Sequence, residues 1–285
     1  MSAAVLTPDL RAASRIHTAG ARPPVTVLLS AAVLVLVLAW SLVPGLLTGH
    51  DPAVGIPDDK FTAPGAAYWL GTDHLGRDLL TRIIHGSASS MTSALIAVAI
   101  GVLAGGLLGL LGGYLGGWVD AVIGRAVEVL LAIPGFLLAV VVVTALGYDT
   151  RNAAIATGVS AVAVFARLMR SEVLRVRTSV FIEAARLNGA SAGYVLLRHV
   201  LPNAVRPVLS LAVLQFGIAI LVIAGLAFLG YGDPPPASDW GLLVSDGREH
   251  LLHAPWLVIA PGLVIAVVVL SVSRLSSWLD QGRNR

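Results

Sequence analysis

Six apolar runs limit what this 285-residue chain can fold into: residues 25–43, 91–111, 127–146, 153–168, 208–229 and 256–272. Each is close to the roughly 20 residues with which an α-helix crosses about 30 Å of hydrocarbon. In lipid a backbone must satisfy its own N–H and C=O groups, which leaves helices or a closed barrel. These runs lack the alternation of barrel strands. The expected class is therefore all-α integral membrane, with six transmembrane helices. The chain is 56% hydrophobic and 12% charged, where a soluble domain carries about 25% charged residues.

The first run is too long for the core of a signal peptide, and no small-x-small site follows it. It reads as a retained anchor, and residues 1–24, with Arg11, Arg15 and Arg22, as a cytosolic leader. The remaining expected units are an extracytoplasmic loop closing the 25–86 unit, a core over 87–279 and a cytosolic tail over 280–285. Residues 79–84 are expected as a short interfacial helix ahead of the second run.

Orientation follows from the basic residues. With the N-terminus inside, the inner segments hold the three leader arginines, Arg125, seven arginines between 167 and 206, and Arg274, Arg283 and Arg285. The outer segments hold only Lys60, Arg77, Arg82, Arg151 and Arg248. The positive-inside rule selects this topology, with both termini cytosolic.

Several chemistries are excluded. The chain has no cysteine, hence no disulfide or thiolate chemistry. Lys60, the only lysine, sits in PDDKFT and not after a glycine-rich turn, so the chain has no P-loop. Arginines placed between apolar runs form no nucleic-acid surface. The serines of GSASS lack a nucleophile elbow, and no catalytic residue is expected. His250 and His253 beside Glu249 find no further ligand at useful spacing, so no metal site is expected. Asp73, His74, Arg77 and Asp78 read as a salt-bridged outer loop.

Other features read as packing or gating. Gly101, Gly105, Gly109, Gly113 and Gly117 recur every four residues and clear one helix face for a close neighbour, as a static or a sliding seam. Arg125 and Glu128, three apart, suit an ion pair at the membrane edge. Pro134 should kink the third span. Gln215, the strongly polar residue within the fifth, is expected to hydrogen-bond a neighbouring helix or to face a pathway.

Segment 167–206 carries Arg167, Arg170, Arg175, Arg177, Arg186, Arg198 and Arg206. Residues 179–188 form a candidate short helix, which Gly189 ends as a left-handed cap. Ser191 then caps a second helix over 192–200, expected to stop before Pro202. A basic amphipathic pair of this kind suits an anionic lipid surface or a protein partner equally well.

Glu183, Ala184 and Ala185, then Gly189 after Arg186, Leu187 and Asn188, Ala190 beyond it, and finally Leu201 and Pro202 resemble the EAA motif of ABC-importer permeases. His199 departs from it, standing where an aliphatic residue is common. LGTDHLGRDLLTRIIHGSASS, GGYLGGWVDAVIGRAVEVLLAIPGF and LAFLGYGDPPPASDWG are similar to the C-type permeases of the dipeptide/oligopeptide branch, while the tail SRLSSWLDQ departs from them. The resemblance implies a type I ABC importer permease fold, a five-helix core plus one N-terminal peripheral helix. It implies coupling helices at about 179–202 that seat on an ATPase subunit. It further implies a homologous B-type permease, one or two ABC ATPases holding ATP and Mg, an extracytoplasmic binding protein and the lipid of a bacterial inner membrane. Peptides are the implied substrate, with nickel chelates, opines, haem and glutathione as alternatives. The outer loops 48–86 and 231–254, with Trp240 and the proline run 234–236, would meet the binding protein as a fixed surface or a small plug. A secondary transporter would need intramembrane carboxylates, which the runs almost wholly lack. A membrane scaffold would leave the glycine-cornered helix pair unexplained.

Overall fold

The computed structural model describes residues 24–283, with side chains through residue 278. The expected leader arginines and the side chains of the 280–285 tail lie outside the described residues. Twelve α-helices form the described residues' framework: α1 (Val25–Leu42), α2 (Pro44–Leu47), α3 (Leu79–Ile100), α4 (Gly106–Leu115), α5 (Gly117–Ala132), α6 (Gly135–Leu146), α7 (Thr150–Arg177), α8 (Val180–Leu187), α9 (Ala192–Val195), α10 (Leu201–Phe228), α11 (Trp240–Gly247) and α12 (Trp256–Arg283). Five stretches are long and apolar enough to span a bilayer: Val25–Leu42, Leu79–Leu115, Thr150–Arg177, Ala192–Phe228 and Trp256–Trp278. A sixth arises if α5 and α6 together make one broken span.

The elements differ from the sequence reading at four places, each for a local reason. The 79–84 piece and the second span are one helix, Leu79–Leu115, crossing the expected 86/87 boundary. Asp78 caps its start by accepting from the Thr81 N–H at 2.9 Å. The polar residues of GSASSMT do not break it, because Ser87 and Thr92 donate to carbonyls of their own helix. A π turn at Gly101–Gly105 carries α3 into α4. The third span is not merely kinked. Ile133 is extended (φ −91°, ψ 129°), as a residue before proline prefers, and α5 and α6 meet at 95°. The fourth span runs on to Arg177, so Arg167, Arg170, Arg175 and Arg177 stand on a helix and not in a loop.

Pro202 accounts for the fourth difference. It does not end the second short helix, because Ala192–Phe228 is continuous. Proline cannot donate to the carbonyl four residues back, and its ring crowds that carbonyl. A π turn at Leu196–Val200 precedes it, widening the helix at this point.

The glycine ladder is a seam against α7, with the two helices parallel. A Cβ built on Gly105 would lie 2.4 Å from the Val162 carbonyl oxygen, and one on Gly109 2.3 Å from that of Ala166. On Gly113 it would lie 2.9 Å from Val173 Cβ. Gly158 of α7 returns the favour, packing on Ile100 and the Ala97 carbonyl. Gly117 leaves the ladder: nothing lies within 4 Å, and its φ of +56° serves the turn into α5.

At the acidic end, where loops 48–78 and 229–255 meet, a buried polar cluster fastens the chain. Asp73 accepts from Arg77 Nε at 2.7 Å, from Arg82 Nη1 at 2.9 Å and from the N–H groups of Leu75 and Arg77. Burial works to raise its pKa, but these hydrogen bonds and the two guanidinium groups outweigh it and hold the carboxyl below its ordinary value. Arg82 reaches across to the Ala237 carbonyl at 2.9 Å. The salt-bridged loop expected here is thus built, with His74 stacked on His250 at 5.5 Å between ring centres. Trp240 does not offer a surface. It is fully buried and donates from Nε1 to the Ile83 carbonyl at 2.9 Å. Its neighbour Asp239 caps α11 through Gly241 N–H and accepts from Ser90 Oγ. Burial pushes the Asp239 carboxyl above its ordinary pKa despite those bonds.

Candidate functional site

At the basic end the chain leaves α7, turns through Ser179, forms α8, corners at Gly189 and re-enters the bundle through α9. Ser179 is extended, and its carbonyl accepts from the Ile182 N–H at 3.0 Å. Within α8 the residues divide by helical spacing. Ile182 and Ala185, three apart, turn inward, while Val180, Phe181, Glu183, Ala184, Arg186 and Leu187 are exposed. Leu187 is 83% exposed, so no described residue covers that face.

The corner is a Schellman motif. Gly189 has φ +85°. Its N–H donates to the Arg186 carbonyl at 3.0 Å, and the Ala190 N–H to that of Ala185 at 3.1 Å. Ala185 and Ala190 pack on the same core, giving the apolar contact that accompanies this cap. A Cβ at Gly189 would meet nothing within 4 Å. The requirement for glycine here comes from the backbone angle and not from crowding within the chain. Ser191 Oγ then accepts from the Tyr194 N–H at 3.3 Å, starting α9.

The segment stands on a packed base. Ile182, Val195 and Val200 are fully buried in one cluster with Phe165, Met169 and Val173 of α7 and Ala204 and Val208 of α10. Tyr114, at the end of α4, donates its hydroxyl to the Ala192 carbonyl at 2.5 Å. Arg177 Nη1 donates to the carbonyls of Gly113 and Tyr114 at 3.0 and 3.1 Å, completing the open end of α4. Arg170 pairs with Asp120 of α5, Nη2 to Oδ2 at 2.7 Å. Arg170 and Arg177, two turns apart, therefore bind α7 to α4 and α5. That heptad spacing, with Asp120 as the lone carboxylate of the turn after Gly117, was a legible signal that the sequence reading passed over.

Outside, Phe181, Tyr194 and His199 gather into an aromatic group. His199 lies 5.6 Å from the Tyr194 ring and 6.4 Å from that of Phe181. The residue that departs from the EAA pattern thus stands at the centre of the exposed face. Leu197 and Arg198 extend that face, Pro202 is exposed beside it, and Leu201 is half-buried. Phe181 of α8 and Tyr194 of α9, on either side of the corner, thus meet at His199.

The other singled-out residues lie elsewhere. Arg125 and Glu128 form a 3.3 Å pair, exposed at 82% and 63%. Glu128 also borders a small cleft with Arg167 and Arg170. Pro134 marks the α5–α6 break. Gln215 makes no helix–helix hydrogen bond among the described residues. It lines a cavity between α3, α6, α7 and α10. The described residues contain no group of three or more histidine, cysteine, aspartate or glutamate residues placed to hold a metal.

Comparison with known proteins shows the family of the chain. Residues 101–285 match the family described as "Binding-protein-dependent transport system inner membrane component". The chain is 38% identical over 234 residues to the dipeptide transport system permease protein DppC of Alkalihalophilus pseudofirmus, covering 82% of this chain and 77% of that one. It is 37% identical to the probable D,D-dipeptide transport system permease protein DdpC of Escherichia coli K12, with 85% and 81% covered. It is 40% identical to the glutathione transport system permease protein GsiD of Shigella flexneri, with 78% and 73% covered. Among solved structures, a chain of the inward-facing MetNI methionine ABC transporter superposes with a TM-score of 0.60 at 16% identity, covering 73% of this chain and 98% of that one. At that identity the likeness speaks for the fold alone.

Proposed function

Because this chain belongs to the family of binding-protein-dependent transport system inner membrane components, we propose that it forms one half of the pathway of an ATP-driven importer of short peptides. It is a multi-pass permease subunit of an ABC importer in the inner membrane. The finer reading assigns 180–202 as the seat of a partner ATPase and a homologous B-type permease as the other half of the pathway. It assigns the acidic end to an extracytoplasmic binding protein. ATP and Mg reside on the partner ATPases, of which there are one or two, and both termini of this chain face the cytosol.

One observation carries the coupling assignment. The exposed face of 180–202 combines bare apolar side chains (Val180, Leu187, Leu197) with Arg186 and Arg198, while its other face is locked to α4, α7 and α10. A segment resting on lipid needs no such base. A lever needs it, because motion imposed on α8 must reach the spans without being absorbed locally. ATP closing the ATPases would then bias the permease between inward- and outward-open states.

Peptide is the substrate read from the dipeptide and glutathione names of the relatives. The test is reconstitution in liposomes with partner permease, candidate ATPases and binding protein, measuring ATP-dependent uptake. Leu187→Glu with Arg186→Glu should detach the ATPases while the two permeases remain paired. ATPases that stay bound to that double variant, or uptake that persists without nucleotide, would overturn the coupling assignment.

A further inference from the structure

Gln215 stands on α10 about 13 Å along the helix from Arg206, which places it within the hydrocarbon. It faces a cavity of about 280 Å³ whose walls come from four spans. Val98 of α3, Phe136 of α6, Thr157 and Ser160 of α7, and Val222 of α10 share that lining. The hydroxyls cannot serve as free donors there. Thr157 donates to the Ala153 carbonyl at 2.8 Å, and Ser160 to that of Thr157 at 2.7 Å. The Gln215 carboxamide has no hydrogen-bond partner among the described residues. A primary amide inside a bilayer is costly to leave unpaired. Phe136 lies just beyond the α5–α6 break. Irregular backbone at membrane depth is tolerated where it is buried in protein or lines a cavity.

We propose that this cavity is a mid-membrane substrate subsite in which Gln215 holds a main-chain amide of the passing peptide. A carboxamide presents one carbonyl acceptor and one N–H₂ donor side by side, the complement of a peptide group's N–H and C=O. The surrounding walls are apolar and carry no charged residue. They accept a small apolar side chain and read none of its polarity. Gln215 then selects for the amide backbone itself, a feature common to all short peptides. The volume is near the lower end of the range for small-molecule sites, about 300 Å³, which suits one or two residues at a time. The inference rests on the peptide-import reading above.

The experiment uses the fully assembled importer in liposomes, with alanyl-alanine, its ester analogue alanyl-lactate and glutathione as probes. Wild type should take up alanyl-alanine about tenfold faster than the ester, as expected for one hydrogen bond lost. Gln215→Leu and the unbranched Gln215→Met should each lose most of that preference while binding-protein-stimulated ATP hydrolysis is retained. Gln215→Asn should recover part of it. The chain has no cysteine, so Gln215→Cys introduces its only thiol. Transported peptide plus ATP should protect that thiol from a small alkylating reagent. No uptake of any probe by wild type would refute the peptide reading, and the subsite with it. Uptake with an unchanged amide-to-ester ratio in the Leu and Met variants would overturn the subsite alone. So would a thiol at 215 whose labelling ignores peptide.

Discussion

Replacing Gly109 with alanine tests whether the seam between α4 and α7 is a fixed contact. The added methyl would sit 2.3 Å from the Ala166 carbonyl oxygen and 2.8 Å from Met169 Cβ. Carbon and oxygen approach to about 3.3 Å in the tightest ordinary contacts, so the helices must part by about 1 Å. The obstacle is backbone, which cannot rotate aside. Overpacking costs about 1–3 kcal/mol, and alanine's helix preference over glycine returns up to about 1 kcal/mol. A net loss of about 1–2 kcal/mol is expected for Gly109→Ala, and similarly for Gly105→Ala, where the contact is 2.4 Å. Gly106 is the control. A Cβ there meets only Met169 Cε, at 3.6 Å. Thermal denaturation of the purified complex, followed by loss of the monodisperse chromatographic peak, should show Gly109→Ala melting several degrees below wild type and Gly106→Ala within a degree of it. A truncation at Met169 should not rescue Gly109→Ala. Equal midpoints for the 109 and 106 variants would refute the seam argument.

Three further outcomes follow from particular contacts. Gly189→Ala should cost about 1 kcal/mol through its φ of +85° alone, and Gly189→Asn less, since asparagine tolerates that region; ATPase pull-down should weaken in that order. Tyr114→Phe removes the 2.5 Å bond to the Ala192 carbonyl, worth about 1 kcal/mol, and should lower the number of substrate molecules moved per ATP while ATPase binding persists. Asp239 has a folded pKa raised by burial, so its contribution favours folding below its unfolded value of about 3.9 and is lost as pH rises through the folded value. Asp239→Asn keeps a capping oxygen for the Gly241 N–H, and melting curves across that interval should become flatter than those of wild type.

Lipid solvation and helix spacing made much of this protein legible from residues alone. Apolar runs of bilayer length, glycines every four residues, a glycine at the end of α8 and a serine before α9 each encode a local rule, and local rules can be read in one dimension. The EAA pattern marked the exposed surface for the same reason, since its residues lie within some twenty positions of one another. Tertiary structure decided what depends on neighbours distant in sequence. Pro202 reads as a stop, yet a π turn and packing on α7 carry the helix through it. Trp240 reads as part of a fixed surface or a small plug, yet the Ile83 carbonyl takes its N–H in the core. Gln215 reads as a helix-to-helix tie or a pathway contact, and only the four spans around it leave a cavity there in place of a partner. In each case the deciding term is the fate of a polar group or a ring once other helices arrive, and no local pattern specifies which helix that will be.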